Sequence, residues 1–215
     1  MKLSLNNEEK NALERGISEL EMQTGTQIVL AVIKRCDAYP EIPWKAFALG
    51  ASIAGLAALF IANSFWISEA LMALLAVSAV LGTGALLALL SVFFPGFARL
   101  FLQRHRTEME TKQYAESLFL SRQLSAASHR RSVLLLIGLF ERQIVILPDI
   151  GLAGQFQAAA IEPLIHTMRL HLKGGWLFKS LEIGLNTFKE LIPGGASSVS
   201  PGNKFPNTII EEQGA

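Results

Sequence analysis

The chain has a single cysteine, Cys36, among its 215 residues. One cysteine cannot form a disulfide within the chain, and it cannot supply a metal site built from several thiolates. The formal charge is close to balanced, at +1, so the composition gives no reason to expect a nucleic acid as a partner. The amino-terminal residues have no apolar core of the kind that a cleavable signal peptide requires, and we expect no such peptide there.

The sequence also lacks the short motifs with the most specific catalytic chemistry. It contains no P-loop pattern G-x-x-x-x-G-K-[ST], no nucleophile elbow G-x-S-x-G, no zinc-protease pattern H-E-x-x-H and no G-x-G-x-x-G. Any enzymatic activity would therefore depend on a less distinctive arrangement of residues.

Two long apolar runs occupy the middle of the chain, at residues 46–62 and 70–94. A helix needs about 20 predominantly apolar residues to cross a hydrocarbon core about 30 Å thick, and both runs are close to that length. Trp44 and the Phe65–Trp66 pair flank the first run, as aromatic residues often do at a membrane interface. We therefore predict a transmembrane helical hairpin with water-soluble sequence on both sides of it.

The residues that flank the two runs predict an orientation. The connecting residues 63–69 contain no Lys or Arg, whereas both outer flanks are basic. The basic residues are Lys34, Arg35 and Lys45 before the first run and Arg99, Arg104 and Arg106 after the second. Because Lys and Arg beside membrane helices stay in the cytoplasm, we expect a two-pass protein with both soluble segments and both termini there. Neither run contains an ionisable residue, so we do not expect ion or proton transport.

The sequence outside the two runs alternates between strand and helix patterns. Residues 28–33, IVLAVI, form a continuous β-rich apolar run, as expected of a strand buried on both faces. Two further runs, 132–137 and 143–147, are separated by a short turn segment and predict an antiparallel hairpin. Asn6 or Asn7 can cap a first helix, and Gly25 is a suitable stop for it. Further helical patterns cover residues 107–122, 153–172 and 176–192. We predict an α/β fold in which a short mixed sheet is flanked by helices.

The predicted strand at 28–33 has to pair with strands that follow the apolar runs. An even number of membrane spans returns the chain to its starting side, so one domain can be built from two segments. We predict a discontinuous α/β domain from residues 1–44 and 97–193, interrupted by a transmembrane hairpin at 45–96. An insertion of this length in a loop costs little closure entropy. The tail, 194–215, is rich in Gly, Ser and Pro and is predicted to be disordered.

Four segments outside the apolar runs stand out in order along the chain. They read ELEMQTGTQIVLAVIKRCDAYPEIPW, LFLSRQLSAASHRRSVLLLIGLFERQIVILPDIGL, LEIGLNTFKELIP and NKFPN. Together they resemble the TPM domain family, and the last is similar to the Asn-x-x-Pro tail of its membrane-inserted bacterial subgroup. The resemblance implies an α/β sandwich with a short mixed sheet and a location in the bacterial inner membrane. The chain departs from the family at Ala127, where Thr is often found.

Two acidic residues that follow predicted strands are candidate metal ligands. Asp37 follows the first strand, and Asp149 follows the third within a Pro-Asp-Ile-Gly turn. If both reach the same end of the sheet, where ligands of α/β proteins tend to bind, they could hold Ca²⁺ or Mg²⁺, which prefer oxygen ligands. The resemblance also implies such a site, because members of the TPM family bind calcium or show acid phosphatase activity. The alternative is that each Asp only stabilises a turn.

Four charged residues near the strands are further candidates. Arg130 and Arg131 precede the second strand and could supply positive charge to a phosphate group, or they could form a solvated loop face. Glu141 and Arg142 lie in the turn of the predicted hairpin and match a Glu-Arg pair of the TPM family. An exposed turn pair is the alternative interpretation of these two residues.

These features favour a membrane-anchored binding module over a dedicated enzyme. We expect a TPM-like domain that binds a partner and acts as an assembly or maintenance factor, with a bound divalent cation as an additional feature. The lipid bilayer is one partner, and the resemblance implies a second inner-membrane protein, of the LemA type, as another. The competing hypothesis is a metal-dependent acid phosphatase with Asp37 and Asp149 as ligands. Phosphoryl transfer would also require charge clamps and a positioned nucleophile.

Overall fold

The computed structural model describes residues 5–62, 69–124, 130–192 and 209–214. The chain forms two compact units: an α/β unit from Met1–Asp37 and Thr107–Ala215, and a hairpin unit from Ala38–Arg106. The predicted departure from the TPM family at Ala127 lies outside the described residues.

Seven α-helices and four strands are present in the described part of the chain. They run in the order α1 (Asn7–Thr24), β1 (Gln27–Arg35), α2 (Glu41–Ala62), α3 (Glu69–Phe93), α4 (Pro95–Ala98), α5 (Arg104–Ser121), β2 (Ser132–Gly138), β3 (Gln143–Pro148), α6 (Ala158–Lys173), α7 (Leu177–Leu191) and β4 (Ile209–Gly214). Short 3₁₀ helices occur at Arg99–Phe101 and Ile150–Leu152. The helix predicted at 153–172 begins later, at Ala158, because a separate 3₁₀ turn follows β3.

The four strands form one mixed sheet in the order β3-β2-β1-β4. β1 and β2 are parallel, with Gln27 opposite Ser132 at one end and Ile33 opposite Gly138 at the other. β2 and β3 form the predicted antiparallel hairpin, and β4 pairs in parallel with the other edge of β1. The structure therefore confirms the predicted α/β fold, in which a strand before the inserted helices pairs with a strand after them.

Both faces of the central strands are buried, which explains their uninterrupted apolar sequences. Successive side chains of a strand point to opposite faces, so β1 and β2 contribute to two cores. One core joins Ile28, Leu30, Val133 and Leu135 to apolar residues of α1, α6 and α7. The other joins Val29, Ala31, Leu134 and Leu136 to Ala115 and Leu118 of α5. The α/β unit thus has three layers, with the sheet between two helical layers.

Helix α1 begins and ends as its sequence predicts. The Asn6 side chain accepts a hydrogen bond from the Glu9 amide, and the Glu9 side chain accepts one from the Asn6 amide, which completes a capping box. Gly25 ends the helix with a left-handed backbone (φ 62°) that glycine adopts without a steric penalty. Ile17 and Leu20 are buried on the face of α1 that packs on the sheet.

The hairpin unit contains two helices that are long enough and apolar enough to cross a membrane. The candidate spans are Glu41–Ile61 and Ala70–Phe93, and only 11% and 6% of their most apolar windows are buried. The two helices approach closely at two glycines. A Cβ atom at Gly50 would lie 2.7 Å from the Thr83 carbonyl oxygen, and one at Gly84 would lie 2.8 Å from the Phe47 ring. Small residues at such points allow two membrane helices to pack tightly.

The carboxyl-terminal tail corrects one prediction. Residues 194–215 are predicted to be disordered, but Ile209–Gly214 forms β4 at the edge of the sheet. The physical reason is a set of contacts with distant residues: Ile209 and Ile210 pack against the sheet, while acidic residues after them pair with basic side chains. A prediction from the Gly, Ser and Pro content of the whole tail averages over this short segment. Residues 193–208 lie outside the described residues.

Candidate functional site

A group of buried polar residues lies where the inserted segment leaves and rejoins the α/β unit. Cys36 and Asp37 end the first segment of this unit, and Thr107 begins the second. We call five of these residues the junction cluster: Cys36, Thr107, Thr111, Glu141 and Gln143. Each is at most 8% exposed. Buried polar groups are costly unless they are hydrogen bonded, so the contacts inside this cluster determine what it can do.

Glu141 is held over the end of β1 by the turn between β2 and β3. The Leu139 amide donates to the Ile33 carbonyl (2.8 Å) and the Phe140 amide donates to the Lys34 carbonyl (3.0 Å). The turn closes through Arg142, whose backbone is left-handed (φ 53°). This geometry directs Glu141 inward, although a glutamate in a hairpin turn is usually exposed.

The two carboxylate oxygens of Glu141 have different environments. Oε1 accepts a hydrogen bond from the Cys36 backbone amide at 2.8 Å. Oε2 is buried and has no hydrogen-bond partner among the described residues. A Cβ atom at position 138 would lie 2.8 Å from Oε2 and 3.1 Å from the Cys36 sulfur, so Gly138 leaves the space that Glu141 occupies.

The Cys36 thiol is not prepared for nucleophilic chemistry. Burial raises its pKa above the ordinary range, and the negative charge of Glu141 raises it further, while a hydrogen bond with Thr111 opposes the shift. A cysteine acts as a nucleophile through its thiolate, which needs a lowered pKa and access to solvent. Cys36 is 6% exposed and stays protonated at neutral pH. We therefore assign this residue a structural role.

The remaining cluster residues connect α5, β3 and α6. The Thr111 hydroxyl donates to the Thr107 carbonyl at 2.7 Å, and the Gln143 amide lies 3.5 Å from the Thr107 hydroxyl. Arg169 donates to the Gln143 side-chain oxygen at 2.6 Å. These contacts bind the start of the second segment to the sheet, as Glu141 binds the end of the first.

Asp149 lies at the opposite end of the sheet from the junction cluster. Its backbone amide donates to the carbonyl of Ser132, the first residue of β2 (2.8 Å). Its side chain accepts from the Ile150 amide (2.8 Å) and caps the 3₁₀ turn at Ile150–Leu152. The Arg130 guanidinium lies 3.4 Å from the same carboxylate oxygen. Asp149 thus has the turn-stabilising role that the sequence left open.

The prediction that Asp37 and Asp149 reach the same end of the sheet is wrong. Asp37 follows the carboxyl end of β1, which is beside Gly138, whereas β3 is antiparallel and carries Asp149 back to the level of Ser132. The two ends of β2 are about 20 Å apart at roughly 3.3 Å per residue. The two acids therefore do not fit a shared cation. Among the described ranges, no group of three or more His, Cys, Asp or Glu residues could together hold a metal ion.

The other predicted candidates divide between the two ends of the sheet. Glu141 is 7% exposed, so the interpretation as an exposed turn residue is wrong, and Arg142 beside it is half-buried. Arg130 is largely exposed beside Asp149. Arg131 is half-buried, and its carbonyl accepts from the Gln27 amide at 2.9 Å. The arginines predicted to serve a phosphate site therefore do not approach Asp37.

Sequence reasoning did not identify Thr111, Gln143 or Arg169 as members of a polar network. Their partners are distant in sequence, and no short motif connects them. The burial of Glu141 did leave a signal, because Leu139 and Phe140 precede it in the turn. An apolar turn indicates a loop that is covered by other residues, and both of these side chains are buried.

The comparisons with known proteins show the fold alone. No protein-family model matches the chain, and no curated protein matches it. A solved structure is similar: the NMR structure of the BA42 protein from the psychrophilic bacterium Bizionia argentinensis, with 14% sequence identity and a TM-score of 0.50. The match covers 96% of this chain and 94% of BA42. This likeness agrees with the α/β fold described above.

The Glu141 carboxylate is expected to stabilise the end of β1. The Glu141→Ala change leaves the buried Cys36 amide without an acceptor, so it should lower the free energy of unfolding by about 1–3 kcal/mol. Glu141→Gln keeps an acceptor oxygen and should cost less. Thermal unfolding of the detergent-solubilised proteins measures the stability of both variants. Glu190→Ala, on the exposed surface of α7, is the matched control. A Glu141→Ala protein as stable as the control would contradict this role.

The Cys36 thiol is expected to resist alkylation in the folded protein. Because its pKa is raised, the folded state keeps the thiol proton at pH values where an unfolded cysteine, with a pKa of about 8.5, loses it. N-ethylmaleimide should label native Cys36 slowly at pH 7 and at pH 9, and quickly after denaturation. The control is a Cys36→Ser protein carrying Glu190→Cys, which should react rapidly when folded. Equal rates for the two folded proteins would show that Cys36 is accessible.

Proposed function

We propose that this chain is a membrane-anchored binding protein, which assembles or maintains another protein of the same membrane. The observation that carries the proposal is the insertion of two apolar, exposed helices between the paired strands β1 and β2. The strand before the insertion and the strand after it belong to the same sheet. An anchor built in this way attaches a folded domain to a bilayer through two connections.

The exposed apolar surface of α2 and α3 supports a membrane anchor. Large side chains point away from the helix pair: Leu56, Leu59, Phe60, Leu74, Leu86 and Phe93 are between 57% and 77% exposed. Exposed apolar area of this kind costs about 25 cal/mol per Å² in water and is relieved in hydrocarbon. A monomeric soluble protein rarely leaves such a continuous apolar surface uncovered.

The proposed membrane is the bacterial inner membrane, with the α/β unit and both termini in the cytoplasm. The basic residues that flank the apolar segments support this orientation. The resemblance to the TPM family supports the choice of membrane and the role as an assembly or maintenance factor. It also supports an inner-membrane partner of the LemA type.

Trp176 is the residue on the α/β unit best suited to contact a partner. It is 68% exposed, whereas tryptophan is usually covered in a folded domain. Its indole lies against Gly174, where a Cβ atom would come within 2.9 Å of the ring. It borders a cleft of about 310 Å³ that is also lined by Leu5, Phe178 and Lys179. Exposed aromatic residues beside a cleft often dominate protein interfaces.

The phosphatase hypothesis loses its geometric basis. It required Asp37 and Asp149 to hold one metal ion, and these residues lie at opposite ends of β2. The thiol of Cys36 is buried and protonated, so it offers no replacement nucleophile. The polar residues at the junction bind backbone and side-chain groups of their own domain, as expected of a structural cluster.

Site-specific photo-crosslinking tests the proposed function. A photoreactive amino acid at position 176 should form a covalent product with an integral membrane protein in intact membranes. The same amino acid at Leu120, which is 70% exposed on α5, is the matched control and should not form that product. Trp176→Ala should lower co-purification of the identified partner by about tenfold or more, as expected for an aromatic interface residue, while Leu120→Ala should leave it unchanged.

Two results would contradict the proposal. One is the absence of any protein adduct at position 176 in membranes that contain the native set of proteins. The other is an equal yield of the same adducts at positions 176 and 120, which would indicate random collision.

A further inference from the structure

The tail strand β4 completes the sheet and is held by few apolar contacts. Its backbone pairs with β1 from Ile209 opposite Leu30 to Gly214 opposite Arg35. Ile210 is buried and Ile209 is half-buried, whereas the residues that follow are largely exposed or half-buried. Strands that bury little apolar surface at the edge of a sheet open at a lower free-energy cost than the core.

Two acidic side chains of β4 provide specific contacts at this edge. Glu211 lies 2.8 Å from the Lys10 ammonium group of α1. Glu212 accepts hydrogen bonds from the Arg122 guanidinium and the Tyr114 hydroxyl, both at 3.0 Å. Burial and this carboxylate raise the pKa of Tyr114 to about 12, so its hydroxyl remains a donor at neutral pH.

Release of β4 would expose an edge that needs another strand. β1 is buried on both faces, and its amide and carbonyl groups on this side bond to β4. Unpaired edges of this kind tend to pair with any strand that fits. This edge selects strands with acidic side chains at two successive positions. Lys10 lies on one side of the sheet to bind the first, and Arg122 and Tyr114 lie on the other side to bind the second.

We infer that β4 is exchangeable, and that this sheet edge binds the corresponding strand of a second copy of the chain in a reciprocal dimer. The tail of the second copy has the same two isoleucines and two glutamates, so it satisfies every backbone and side-chain contact in the same register. Such an exchange adds no new type of contact, and its extent depends on the local concentration of copies.

Two properties of the chain favour a second copy as the occupant. The sequence between α7 and β4 is 17 residues long, 192–208, and a chain of that length can span about 55 Å. The proposed membrane anchor, on which this step rests, would keep all copies on one surface and in one orientation. Both properties increase the chance that a released tail meets the edge of a neighbour.

Charge reversal separates exchange between chains from pairing within one chain. One full-length variant carries Lys10→Glu and Arg122→Glu, so its edge repels its own acidic tail. The other carries Glu211→Lys and Glu212→Lys, so its tail is repelled by its own basic edge. Co-expressed, the two variants are complementary only if each tail crosses to the other chain. The four changes combined in one chain restore attraction within that chain and form the control for folding.

The readout is co-purification of differently tagged copies from detergent-solubilised membranes. Mixed pairs of the two variants are expected to exceed same-variant pairs by about tenfold, given the modest energy of each exposed ion pair. Dimers formed through α2 and α3 would increase the yields of mixed pairs and of same-variant pairs equally. No excess of mixed pairs, with the four-change control folded, would overturn the inference. It would leave the proposed binding at Trp176 unaffected, because that binding is read from adducts at position 176.

Discussion

The parallel pairing of β1 with β2 is the constraint on which the rest of the structure depends. The two strands are separated in sequence by the whole inserted segment, yet they pair residue by residue over seven positions. Both strands are buried on both faces, so neither could remain stable without the other. This pairing requires that the chain leave the sheet after Arg35 and return before Ser132. If α2 and α3 cross a membrane, as proposed, the insertion has to end on the side where it began.

The strand directions also determine which side chains can cooperate. Because β1 and β2 are parallel, the residues after β1 and the turn after β2 meet at one end of the sheet, where Glu141 bonds to the Cys36 amide. Because β3 is antiparallel, Asp149 returns to the other end, beside Ser132. A carboxylate thus secures each end of the sheet separately. The end that carries the insertion has the larger buried network, with Thr107, Thr111, Gln143 and Arg169.

Much of the fold could be predicted from the sequence because its signals are local. Continuous apolar runs predicted β1 and β2, Asn6 and Gly25 predicted the limits of α1, and two longer runs predicted α2 and α3. The position of Asp149 depends on two pairings together, because the antiparallel hairpin carries Asp149 away from Asp37 only when β1 and β2 are parallel. Other features depend on contacts between distant residues. The burial of Glu141 left one local signal, the apolar turn residues Leu139 and Phe140, whereas the pairing of Ile209–Gly214 with β1 could not be derived from local composition.

The central claim is that one α/β domain is built from two segments on the same side of a bilayer. Single-cysteine labelling in a Cys36→Ser background tests it directly, with a membrane-impermeant maleimide applied to intact cells and to inverted vesicles. Cysteines introduced at exposed Glu8 on α1 and exposed Glu190 on α7 represent the two segments. The account predicts that both positions are labelled in inverted vesicles and both are protected in intact cells. Labelling of the two positions from opposite sides of the membrane would contradict it.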